Sequence, residues 1–176
     1  MSPSSRAFVA DLARAEIGAT FNQYAASPLR RARLAAYLAL RSSAGILLVG
    51  EAAGYRGARV SGIPFTSERL LTGNAPGEAT ATIVHDVLSE LRLEHEVLLW
   101  NLVPTHPYEP GNPESNRRPT GEEVEAGRPF LRRLAAGRSV VSIGRLAQAE
   151  LGGPYVRHPA HGGASEFRAA LVQLLA

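Results

Sequence analysis

Apolar positions recur at helical spacing over about Arg6–Ala19 and Leu29–Arg41, both rich in Ala, Leu and Arg, so both stretches predict amphipathic helices. Ala44–Gly50 (AGILLVG) is a short apolar run closed by Gly, which reads as a buried strand. Glu51–Pro64 then holds too many turn formers for a regular element. Helical spacing returns over Phe65–Leu71 and Thr80–Arg92, and Glu96–Leu102 (EVLLWNL) predicts a second strand. Five prolines in Pro104–Pro119 predict an irregular surface loop. Thr120 and Glu123 stand in the S/T-x-x-E pattern of a capping box, opening a helix through Ala136. Ser139–Ile143 is a third strand, Gly144–Leu151 a short helix and Tyr155–Arg157 a fourth short strand. An amphipathic helix over about Ser165–Leu174 closes the pattern.

Short apolar strands alternating with helices predict one domain over residues 1–176, a three-layer α/β/α sandwich around a central four-stranded parallel sheet. Gly50–Phe65, Asn101–Pro119 and His158–Gly163 each follow directly on a predicted strand. Ligands of open α/β sheets bind outside the carboxyl ends of the strands, so these three loops are expected to share one edge and form a site there.

Composition narrows the chemistry. With no cysteine there is no disulfide, thiol nucleophile, zinc–thiolate site or cysteine-held iron–sulfur cluster. The five histidines (85, 95, 106, 158 and 161) show no ligand spacing, so neither a metal nor a cofactor is expected. No apolar run approaches the ~20 residues that span a bilayer, and the opening MSPSSRAFVADLARAE carries acidic residues inside a helical pattern. A cytoplasmic protein without a membrane partner is the default expectation, and a monomer the simplest assumption. The net charge is +3 and every basic residue is Arg. That permits phosphate contact, although G+C-rich coding explains the Arg bias more simply. With no Lys, Schiff-base chemistry would fall to the N-terminal amine alone.

Three segments carry more. The first runs Gly50-Glu51-Ala52-Ala53-Gly54-Tyr55 to Gly62-Ile63-Pro64-Phe65; its glycines let backbone approach a ligand closely. The second is Asn101-Leu102-Val103 with Asn116-Arg117-Arg118-Pro119-Thr120 and Glu122-Glu123-Val124-Glu125-Ala126, and the third is His158-Pro159-Ala160. In this order they resemble the motifs of the uracil-DNA glycosylase superfamily. The nearest look-alike is its thermostable iron–sulfur family, with patterns close to GE-x-PG…G-x-PF, N-V-V…N-R-x-P-T-x-E-E-V-E-A and HP[SA]. The likeness runs from Ala44 to about Gly163.

The resemblance implies a monofunctional glycosylase that flips uracil from DNA and hydrolyses its N-glycosidic bond, initiating base excision repair. Glu51 would orient the attacking water and favour the sugar cation. Phe65 would stack on the flipped base, beside Gly50. Asn101 would read the edge that separates uracil from cytosine, and His158 would hydrogen-bond the uracil oxygen as negative charge develops. Tyr55 would gate the pocket, and Arg56, Arg59, His161 and Gly162 would contact DNA. Each has a plainer reading: Glu51 as a loop carboxylate, Phe65 as a core residue opening a helix, Asn101 as a loop cap, the arginines as solvated surface. The sequence also departs from the pattern. Thr105 and Gly127 stand where the iron–sulfur relatives carry cluster cysteines, and an N-terminal CxxC is missing. Ala53 replaces the usual Pro, Ala52 falls where some relatives carry a catalytic Asp, and the third loop offers only His161 and Ala164 in place of an apolar wedge. These departures motivate an alternative: a non-catalytic or weakly active DNA-binding member of the same fold that senses modified bases. An unrelated hydrolase or nucleotide-binding enzyme has no GK[ST] or GxSxG motif to support it.

Overall fold

The structure, a computed structural model, describes residues 3–160 and 162–175. In chain order its elements are α1 (Pro3–Arg14), β1 (Thr20–Phe21), α2 (Gln23–Ala26), α3 (Pro28–Leu40), β2 (Ile46–Ala52), α4 (Ala58–Ser61), α5 (Glu68–Thr72) and α6 (Ala79–Glu90). There follow β3 (Val97–Val103), β4 (His106–Pro107), α7 (Gly121–Ala135), β5 (Ser139–Ile143), α8 (Arg145–Leu151), β6 (Tyr155–Val156) and α9 (Ala164–Leu175). The predicted four strands form one sheet in the order β3-β2-β5-β6, every pair parallel. Helices flank it, giving the expected α/β/α architecture. Among the described residues, no helix is long and apolar enough to cross a membrane.

All seven residues of β3 (VLLWNLV) are buried, as a strand covered on both faces requires. Trp100 is fully buried, and Phe8 of α1 meets it edge-on at 5.6 Å while also meeting Phe130 of α7 at 5.7 Å. Because β3 lies at the sheet edge, its outward N–H groups need partners from elsewhere. The buried Tyr37 hydroxyl of α3 accepts the Leu99 N–H at 2.8 Å, and burial pushes that phenol up to about 12.

Several boundaries differ from the periodicity, each for a local reason. The first helix ends at Arg14 rather than Ala19. The Asn22 amide donates to the Leu12 and Ala15 carbonyls and accepts the N–H groups of Tyr24 and Ala25. One side chain thus closes α1 and caps α2. The helix expected from Phe65 starts only at Glu68, because Phe65 lies in the left-handed region at φ 51. β2 extends past Gly50 to Ala52, which pairs with Val103, so Glu51 is still on the strand. The proline-rich loop contains β4, paired antiparallel with β1 as Thr20↔Pro107 and Phe21↔His106. Periodicity cannot signal a two-residue strand.

The capping box forms as expected: Thr120 Oγ1 accepts the Glu123 N–H at 3.2 Å, and Glu123 Oε2 accepts the Thr120 N–H at 2.9 Å. Arg117 adds a two-pronged ion pair to the same buried carboxylate, at 2.5 and 2.9 Å. It also donates to the carbonyls of Tyr108 and Ala19. The start of α7, the proline-rich loop and the N-terminal segment therefore meet at one guanidinium.

Candidate active site

Since all four strands are parallel, their carboxyl ends share one edge of the sheet. Glu51 lies near the end of β2, Asn101 near the end of β3, Gly144 just past β5 and His158 just past β6. Together with Phe65 they line a single cleft of about 1130 Å³. The convergence expected from three post-strand loops is what the topology delivers.

Gly50 and Asn101 are direct partners across β2 and β3. A Cβ built on Gly50 would fall 2.2 Å from Phe65 Cζ and 3.0 Å from Asn101 Oδ1, so the missing side chain is the space in which ring and amide meet. The loop carrying Phe65 is held from beneath. The buried Ser61 hydroxyl donates to the Thr66 carbonyl at 2.6 Å and accepts the Ile63 N–H at 3.0 Å, while Thr66 Oγ1 lies 3.1 Å from His85 Nε2. This scaffold sustains a positive φ at a non-glycine residue, a cost of about 1–3 kcal/mol that concentrates at functional sites. Gly50→Ala is expected to drive the ring into the cleft. Stability should fall by about 1–3 kcal/mol from overpacking, and affinity for a base-flipped strand about 5- to 100-fold through loss of the stacking platform. Melting and oligonucleotide titrations check this; unchanged affinity would show that the ring is no platform.

The Asn101 residue is 3% exposed, yet its side-chain amide makes no hydrogen bond among the described residues, and it borders the cleft. Its donors and acceptor are therefore open to the cleft.

Glu51 is half-buried and makes no ion pair among the described residues. Burial raises its carboxyl above the ordinary range, and the Arg118 guanidinium pulls in the opposite direction without overcoming it. A carboxyl raised by folding favours the protonated folded state, a contribution that is lost as pH rises through the folded pKa. Glu51→Gln is therefore expected to melt no lower than the parent protein at pH 7 and somewhat higher. The difference should close below about pH 4, where both side chains are neutral. A lower melting temperature at pH 7 would show that the carboxylate holds the fold together.

His158 packs over Gly144, which adopts φ 87 just past β5; a Cβ there would contact His158 Cβ at 3.5 Å and its ring carbon Cδ2 at 3.8 Å. His158 Nδ1 accepts the Ala160 N–H at 3.2 Å. Because Nδ1 is an acceptor, the neutral ring carries its proton on Nε2 as a hydrogen-bond donor. Gly163 tightens the same turn, since a Cβ there would fall 2.3 Å from the His158 carbonyl oxygen.

Residues 39–172 match the uracil DNA glycosylase superfamily. The chain belongs to that superfamily. The crystal structure of wild-type Pedobacter heparinus SMUG2 shares its fold, with a TM-score of 0.66 over 97% of this chain and 95% of that one, at 11% sequence identity. No curated protein matches the sequence.

Other residues singled out from the glycosylase motifs do not converge on the cleft wall. Tyr55, Arg56 and Arg59 form their own cluster beside it. Arg56 Nε donates to the Tyr55 hydroxyl at 2.9 Å, and Arg59 lies over the Phe21 and Tyr55 rings at 5.6 and 6.0 Å. Gly162 forms a turn at φ 79, and His161 lies outside the described residues. Conversely, the cleft exposes groups that the motifs did not nominate. Arg118 and Arg145 line it, and neither enters an ion pair among the described residues. Glu78 also lines it, with its carboxyl raised by burial. Its carboxylate occupies the space that a Cβ on Gly54 or Gly57 would take, 2.4 and 2.3 Å away. Arg118 was visible within N-R-R-P-T; Arg145 and Glu78 carried no local signal. The cluster of the iron–sulfur relatives does not fit this member. Thr105 is buried and hydrogen-bonded to Thr20 at 2.6 Å. Gly127 lies against the Leu102 carbonyl, where even a Cβ would come within 2.2 Å.

Proposed function

We propose that this superfamily member is a monofunctional uracil-DNA glycosylase that flips uracil out of DNA and hydrolyses its glycosidic bond. It would leave an abasic site for base excision repair, acting as a monomer in the cytoplasm. The observation that carries this reading is the Asn101 amide, buried, unpaired among the described residues and set beside the Phe65 ring over Gly50. An amide beside an aromatic face suits a planar base, stacked on one side and read on its edge.

The roles follow from bond breaking. As the C1′–N1 bond lengthens, positive charge builds on the sugar and negative charge on the departing uracil. Glu51 lies within the cleft to orient water towards C1′ and, when ionised, to favour the cation. The bonding electrons leave with uracil, where the Nε2–H of His158 stabilises the developing oxyanion. Water supplies the hydroxyl to C1′, and its released proton passes to Glu51 and then to solvent. Arg118 and Arg145, which enter no ion pair among the described residues, offer positive charge to the phosphates.

The test incubates the protein with single- and double-stranded oligonucleotides carrying uracil, hypoxanthine or xanthine, followed by alkaline cleavage of abasic sites. Breaks at uracil that vanish in Glu51→Gln support the reading. Tight binding to the uracil strand without breaks would instead make the protein a sensor of modified bases, and no binding or cleavage with any strand would sink both.

A further inference from the structure

Glu51's carboxylate has no ion-pair or hydrogen-bond partner of its own among the described residues, so its position depends on the backbone that carries it. That backbone is fastened from outside the strand. The Ala53 N–H donates to the Val103 carbonyl at 3.2 Å. The Ala53 carbonyl faces His106 Nδ1 at 2.8 Å; a carbonyl only accepts, so Nδ1 carries the proton. Two residues on, the Tyr55 N–H donates to Asn116 Oδ1 at 2.9 Å. Three successive holds on the turn after Glu51 thus come from one stretch, Val103 to Asn116.

We propose that His106, with Asn116 closing the turn at Tyr55, is a positioning residue that fixes the Glu51 turn through its Nδ1–H bond to the Ala53 carbonyl. The proposal rests on reading Glu51 as the water-orienting group. His106 is fully buried and stacks on Tyr108 at 6.1 Å between centroids; its Nε2 makes no hydrogen bond of ordinary geometry, although the Pro113 and Ser115 backbone lies beside the ring. A leucine would fill the space without leaving a ring nitrogen poorly paired. A half-satisfied imidazole is therefore a poor choice for stability and a good one for holding a carbonyl. Burial lowers the ring's pKa, against the pull of its backbone hydrogen bonds, and so favours the neutral form. The clamp is itself anchored to the N-terminal segment: His106 pairs with Phe21 across β1 and β4, Thr20 bonds Thr105 at 2.6 Å, and Gln23 Nε2 donates to the Pro104 carbonyl at 2.8 Å.

Two substitutions separate positioning from packing. His106→Asn keeps a short side-chain N–H able to reach the carbonyl, whereas His106→Leu keeps the bulk and removes the donor. In single-turnover excision from a uracil oligonucleotide, His106→Leu is expected to lower the rate constant about tenfold or more through misplacement of Glu51. The oligonucleotide Kd should stay within about threefold, and His106→Asn should recover most of the rate. Amide hydrogen exchange over residues 51–57 should quicken in His106→Leu and return towards the parent in His106→Asn. Asn116→Ala, at the loop's outer end, should quicken exchange at Tyr55 and serves if His106→Leu does not fold. Folded His106→Leu with parental rate and exchange would overturn the proposal, as would His106→Asn no better than His106→Leu. If the parent protein excises no base, the glycosylase reading fails while the exchange comparison still decides whether the clamp exists.

Discussion

Asn101→Ala is expected to lower single-turnover uracil excision by about 10²–10³, the loss measured when one preorganised donor is removed from a water-excluded site. The amide is buried at the end of a strand whose seven residues are all buried, so its placement is set by the sheet and not by a mobile loop. Removing it leaves the cleft open and the neighbouring hydrogen bonds untouched, since the amide makes none among the described residues. Stability should consequently change little, since the amide faces the cleft and no partner is stranded by its removal. Rapid-quench kinetics with a melting curve separate the two effects. A tenfold or smaller loss would mean that Asn101 merely lines the site.

Arg117→Ala carries the largest expected cost in stability. The change strands the buried Glu123 carboxylate, which keeps backbone hydrogen bonds such as that from the Thr120 N–H at 2.9 Å but no cation, and frees the Tyr108 and Ala19 carbonyls. Breaking a buried pair by deleting one partner costs about 3–5 kcal/mol, which for a chain of this size lowers the melting temperature by roughly 6–20 °C. Arg117 holds the Glu123 carboxyl below its usual range, chiefly through their hydrogen bonds. A depressed carboxyl contributes stability above its unfolded pKa and loses it as pH falls through the folded value. The gap between parent and variant should therefore narrow in acid. A gap that stays constant from pH 7 to pH 3 would show that Arg117 acts through packing alone.

The sheet and the edge that carries the cleft were legible because strands covered on both faces must be continuous apolar runs, and AGILLVG, EVLLWNL and SVVSI are such runs. Asn101 and His158 were visible for the complementary reason: Asn101 is a polar residue near the end of EVLLWNL, and His158 follows the short fourth strand, Tyr155–Val156. Phe65 was visible as a residue but not as a conformation. A helical pattern from Phe65 to Leu71 competes with a buried Ser61 that bends the backbone, and the hydrogen bonds of Ser61 run to residues it meets only in the folded loop. The Glu51 clamp was illegible for a similar reason. His106 and Ala53 are 53 residues apart, and nothing local distinguishes a clamping histidine from one in a surface loop. Tyr55, Arg56 and Arg59 show the opposite limit, since proximity to Glu51 in sequence did not carry them onto the cleft wall.

The central claim is that this cleft hydrolyses a base from DNA, and weighing the products tests it most directly. A uracil oligonucleotide is incubated with excess protein, and both the strand and the small-molecule fraction are examined by mass spectrometry. The expected result is free uracil with a matching strand that has exchanged its base for hydroxyl, neither product with Glu51→Gln, and far less of both at the same time point with Asn101→Ala. An intact uracil strand recovered from a stable protein complex would contradict it.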